Sequence, residues 1–78
     1  MKGTLVIQRI TVDGQIAARI MVRGNVGAEG RAKLDALCMT PVMDMFNCRE
    51  RVCYTQAEAV ALRDALIEQE LVEVSHVN

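Results

Sequence analysis

Residues 4–12 (TLVIQRITV) and 15–23 (QIAARIMVR) are two strand-like runs rich in β-branched side chains, and only Asp13-Gly14 separates them. That arrangement predicts a β-hairpin with a type I′ turn, because Asp and Gly tolerate the positive φ the turn requires. A two-residue loop also sets the register, with Val12 opposite Gln15. Side chains alternate across a strand, so Leu5, Ile7, Arg9, Thr11, Ile16, Ala18, Ile20 and Val22 share one face. Six of those eight are apolar, and this face is expected to meet the core. The other face carries Thr4, Val6, Gln8, Ile10, Val12, Gln15, Ala17, Arg19, Met21 and Arg23. It is half apolar. It reads either as a solvated face or as an interface lined by Val6, Ile10, Val12 and Met21 and rimmed by Arg19 and Arg23.

Beyond the hairpin the period changes. GNVGAEG (residues 24–30) reads as a connector and lacks the Gly-Lys-Ser/Thr or GxGxxG of a phosphate loop. RAKLDALCM predicts a short helix with Leu34, Leu37 and Cys38 on one face. Thr40-Pro41 breaks it, and VMDMF reads as a further short turn. CRERVCY alternates as a strand, with Cys48, Glu50, Val52 and Tyr54 on one side and Arg49, Arg51 and Cys53 on the other. Thr55 and Glu58 form a capping box ahead of a helix from about Gln56 to Glu70. LVEVSHV (residues 71–77) reads as a closing strand, with continued helix as the open alternative.

The second helix carries two apolar stripes, Ala59, Leu62 and Leu66, then Val60, Ile67 and Leu71 roughly 130° around. They form either one wide buried face, with the aliphatic stem of Arg63 laid along it, or two faces, one of them packed by another chain. The expected fold is a single α+β domain over residues 1–78. An N-terminal antiparallel hairpin, two helices and one or two further short strands pack on one sheet face.

Composition narrows the chemistry. With 78 residues, 51% hydrophobic and only 3% aromatic, the core must come from aliphatic side chains and methionine. So short a chain buries only about 60–65% of its unfolded surface, and a second chain would add stability. The longest apolar run is too short to cross a membrane. MKGTLVIQRI does not resemble a signal peptide, so a cytoplasmic, thiol-reducing setting is expected. Residues 1–55 carry eight Lys/Arg and five Asp/Glu, net +3; residues 56–78 carry one and five, net −4.

All three cysteines lie within residues 38–53. On a strand, Cys48 and Cys53 fall on opposite faces about 16 Å apart, too far for a disulfide or a shared metal. Only a tight CRER loop would let Cys38, Cys48, Cys53 and His76 converge on zinc, so no metal is expected. Cys38 and Cys48 read as small apolar core residues. Cys53, beside Arg49 and Arg51, is placed where positive charge favours thiolate. A nucleophile also needs a base, and the only histidine is the near-terminal His76. No catalytic group and no cofactor is expected.

What remains is a protein-binding module. In length, in its leading hairpin and α+β order, and in its acidic final third, the chain resembles the small inhibitor proteins of phages and mobile elements, the anti-CRISPR proteins among them. The resemblance implies stoichiometric binding to a host nucleic-acid-targeting complex. Charged side chains would make the contact, with Glu58, Asp64, Glu68, Glu70 and Glu73, together with Arg49 and Arg51, as partner-binding candidates. The alternative is a homodimeric structural or regulatory protein closing on Val6, Ile10, Val12, Met21, Val60, Ile67 and Leu71. A third class, nucleic-acid binding through Arg9, Arg19, Arg23, Arg49 and Arg51, has less behind it, since there is no strong basic patch and few stacking aromatics.

Overall fold

A computed structural model describes residues 1–73. Its elements are β1 (Thr4–Val12), β2 (Gln15–Arg23), α1 (Gly27–Ala36), β3 (Thr40–Pro41), β4 (Cys48–Cys53) and α2 (Gln56–Glu68). The hairpin forms as predicted. Asp13 and Gly14 take φ of 50° and 81°, and Val12 faces Gln15 in a register that runs unbroken to Thr4 opposite Arg23. The strands form one antiparallel sheet in the order β1-β2-β4-β3. This is an α+β fold.

One apolar cluster joins the sheet to both helices. It takes Ile20 and Val22 from β2, Cys53 from β4, Leu34 from α1, and Leu62 and Leu66 from α2. Val26, Met39, Leu71 and Val72 enter from the connections, and Leu5 packs against it. These strand residues share one face in the observed register, so both helices lie on that side, the side the alternation assigned to the core. Ile7 and Ile16 belong to the same face but are exposed. They border a groove at the start of α2 rather than lying beneath the helix.

The expected connector at residues 24–30 is partly helix, since α1 starts at Gly27. Two glycines in its first four residues lower the local helix propensity. Burial of Val26, Gly30 and Leu34 overrides that preference, and Asn25 Oδ1 accepts from the Gly27 N–H at 2.9 Å. At its other end α1 closes in a Schellman turn. The Cys38 N–H donates to the Asp35 carbonyl and the Met39 N–H to the Leu34 carbonyl, both at 3.0 Å. Cys38 therefore takes a positive φ of 60° and is exposed. Met39 enters the core in its place, which corrects the expectation that Cys38 lies on the Leu34 face.

The second helix ends in the same way. Glu70 takes φ 57°, its N–H donates to the Ile67 carbonyl, and the Leu71 N–H donates to the Leu66 carbonyl, each at 3.0 Å. The chain turns back and drives Leu71 into the core. This decides the two-stripe question. Leu71 is buried, Ile67 packs against the same cluster, and Val60 is exposed. Ile67 and Leu71 thus belong to the intramolecular cluster, while Val60 of the same stripe stays at the surface.

Leu71–Glu73 then lies parallel beside Gly3. The Gly3 N–H donates to the Leu71 carbonyl at 2.8 Å, and the Glu73 N–H to the Gly3 carbonyl at 3.0 Å. A Cβ on Gly3 would sit 2.7 Å from both the Arg23 carbonyl oxygen and Val22 Cγ1, so the position demands glycine. The rest of the expected closing strand, residues 74–77 with His76, lies outside the described residues.

Candidate functional site

The side of the sheet away from the helices is built by β1, β2 and β4 together. Register places Val6 opposite Met21, Ile10 opposite Ala17, and Val12 opposite Gln15. On the other flank of β2, Met21 faces Glu50 and Arg19 faces Val52. Among the described residues no helix crosses this face. Val6, Ile10, Val12 and Val52 are half-buried, while Ala17 and Met21 are buried. Arg19 Nε donates to Glu50 Oε1 at 2.5 Å, bridging β2 and β4 diagonally beside Met21. The residues expected for an interface on the hairpin, Val6, Ile10, Val12 and Met21, are thus brought together on one face, among the polar Gln8, Arg19 and Glu50. Val52 joins them from β4, a contribution that only the strand pairing reveals.

The loop between β3 and β4 supplies the other conspicuous apolar groups. Met43 and Phe46 are 98% and 97% exposed. Phe46 is the only phenylalanine of the chain, and neither it nor Tyr54, the other aromatic residue, enters the core. The sequence marked this segment only as a turn.

Arg49 and Arg51 are differently placed from what a partner-binding role needs. Both point to the helix side of β4. Arg49 pairs with Asp35 and donates to the Met39 carbonyl at 3.2 Å. Arg51 donates to the Leu37 carbonyl at 3.2 Å and pairs with Glu58 at 3.2 Å. These cations sit at the C-terminal end of α1, where its free carbonyls and dipole favour positive charge, and tie it to the sheet. Both arginines, expected as partner-binding side chains, are thus engaged in contacts within the chain. Glu58 is likewise engaged, and its backbone N–H is capped by Thr55 Oγ1 at 3.1 Å. Asp64 pairs with Arg63 at 3.1 Å. Glu68, Glu70 and Glu73 are exposed.

The cysteines divide three ways. Cys48 is buried at the start of β4 on the open-face side, Cys53 is buried at its end in the helix-side cluster, and Cys38 is exposed; all three are free thiols. The expectation that positive charge activates Cys53 is reversed. Burial raises its pKa first, and the neighbouring Glu58 carboxylate raises it further, against a smaller lowering by Arg51. The thiol stays protonated and is a poor nucleophile. It lines an open groove of about 420 Å³ with Ile7, Ile16, Ala18, Tyr54 and Ala59. The Glu58 carboxylate is the acidic group beside the thiol, and it holds the proton on sulfur rather than drawing it off. Among the described residues no group of three or more His, Cys, Asp or Glu is placed to hold a metal, and no helix is long and apolar enough to cross a membrane.

Comparison with protein-family models, curated proteins and solved structures finds no match, so the functional reading rests on the chain's own residues.

Proposed function

We propose that this chain is a protein-binding module, without catalytic chemistry of its own, that docks through the open face of its sheet. One observation carries the reading: both helices pack on the same side and leave a face of Val6, Ile10, Val12 and Val52 around Met21 with no helix over it among the described residues. An apolar strip flanked by the charged pair Arg19–Glu50 has the composition of an interface centre with a polar border. Met43 and Phe46 are additional anchors. The narrower possibility, an inhibitor of a host nucleic-acid-targeting complex, draws on the acidic third of the chain. There Glu68, Glu70 and Glu73 are exposed carboxylates, while Glu58 and Asp64 already have basic partners.

The test is a folded variant with a charged face. Val6→Lys with Ile10→Lys should keep the far-UV circular dichroism of the wild type, because both side chains are on the uncovered side. It should lose the proteins that the wild-type chain retains from a host extract. Equal retention by the two, or retention by neither, would sink the reading.

A further inference from the structure

The two edges of the sheet are treated differently. The β3 edge is two residues long and ends in Pro41, and both features prevent further strand pairing. The β1 edge is nine residues long, contains no proline or lysine, and bears one charge, Arg9. Long edges without such blocks pair with other strands.

The parity of that edge is known. Val12 and Gln15 close the two-residue hairpin, so the even-numbered residues of β1 bond to β2. The odd-numbered ones turn outward, as Gly3 shows by bonding to Leu71 and Glu73 on the outer side. Among the described residues, the outward N–H and C=O groups of Leu5, Ile7, Arg9 and Thr11 have no main-chain partner, and nothing lies along them past Gly3.

We propose that β1 pairs antiparallel with β1 of a second copy across a twofold axis at Gln8, giving a homodimer with one continuous eight-stranded sheet. The sequence of β1 is self-complementary in this register. Leu5 faces Thr11 of the other copy, Ile7 faces Arg9, and Val6 faces Ile10. Arg9 never meets itself. The outward parity makes Ile7–Arg9 and Leu5–Thr11 hydrogen-bonded pairs, about eight main-chain bonds in all. Ile7, 51% exposed in the single chain, gains the stem of Arg9 opposite and the second Ile7 on the diagonal, both within reach across a strand pair. The two open faces merge into one. The pairing uses main-chain groups of the edge and does not depend on whether the open face binds another protein.

The experiment is the mass of the full chain by native mass spectrometry and sedimentation at micromolar concentrations. The wild type should be a dimer. Ile7→Pro removes only an outward N–H and should give a folded monomer. Register is read by cysteine cross-linking in a Cys38→Ser background. Gln8→Cys, whose two copies form a close non-hydrogen-bonded pair, should link rapidly into a disulfide dimer. Val6→Cys, four residues out of register with itself, should not. A wild type that stays monomeric overturns the proposal. So does a dimer in which Val6→Cys links as fast as Gln8→Cys. Should Ile7→Pro unfold, the cross-linking pair decides alone.

Discussion

Ile20 and Met21 are neighbours on β2 and nearly equally shielded, at 0% and 2% exposure, yet they are shielded by different things. Ile20 lies beneath the helices in the cluster of Leu34, Leu62 and Leu66. Met21 points to the other side and is enclosed by its own sheet, with Val6 on one flank, Glu50 on the other and the Arg19–Glu50 pair beside it. Burial by a second layer makes a core. Burial by lateral neighbours leaves the outer side of the sheet without a second layer, which a partner can supply. That difference separates the structural half of this protein from the half proposed to bind.

Truncating both residues tests the contrast most strongly. Ile20→Ala should cost about 3–4 kcal/mol in urea unfolding. Met21→Ala should cost about 2 kcal/mol or less, because neighbours on an open face can collapse into the space. Equal losses would mean that the open face is as closed as the core.

The arginines on the two sides sharpen the comparison at lower energy. Arg51 satisfies a helix-end carbonyl as well as Glu58, whereas Arg19 has only Glu50. Replacement by Met should cost about 1–2 kcal/mol at Arg51, which leaves a partly buried acceptor unpaired. At Arg19 it should cost less than about 1 kcal/mol, as for a solvent-accessible ion pair. Thermal unfolding of the two variants gives the order.

The smallest effect concerns Cys53. Its pKa is raised in the fold, so the neutral thiol is the favoured folded form. Its contribution is complete below the unfolded-state thiol pKa, about 8.5, and is lost as pH rises through the higher folded value. Stability should therefore fall in alkali more steeply for the wild type than for Cys53→Ala. Parallel pH profiles would show that Cys53 is not shielded as described.

Much of this was legible along the chain. Asp13-Gly14 with flanking alternation specifies turn, register and both hairpin faces, because turn geometry and a period of two are local properties. Thr55 as the cap of α2 is local for the same reason. The misjudged elements depend on distant atoms. Gly27–Gly30 is helix because Val26 and Leu34 find a core to enter. Cys38 and Glu70 occupy positive-φ helix ends without glycine, since burial of the following Met39 and Leu71 outweighs the local strain of about 1–2 kcal/mol. Composition could not say which side of β4 faces the helices. The side with two arginines does, because carbonyls at the end of α1 and the carboxylates of Asp35 and Glu58 are there to receive them.

The sequence by itself determined β1, β2 and β4, their alternation and the helix start at Thr55, all set by interactions between residues a few positions apart. Only the tertiary structure decided which face the helices cover, which arginines and thiols are spoken for, and which sheet edge is left unpaired among the described residues. Those outcomes depend on groups far apart in the chain arriving at the same place, and no local pattern encodes that meeting.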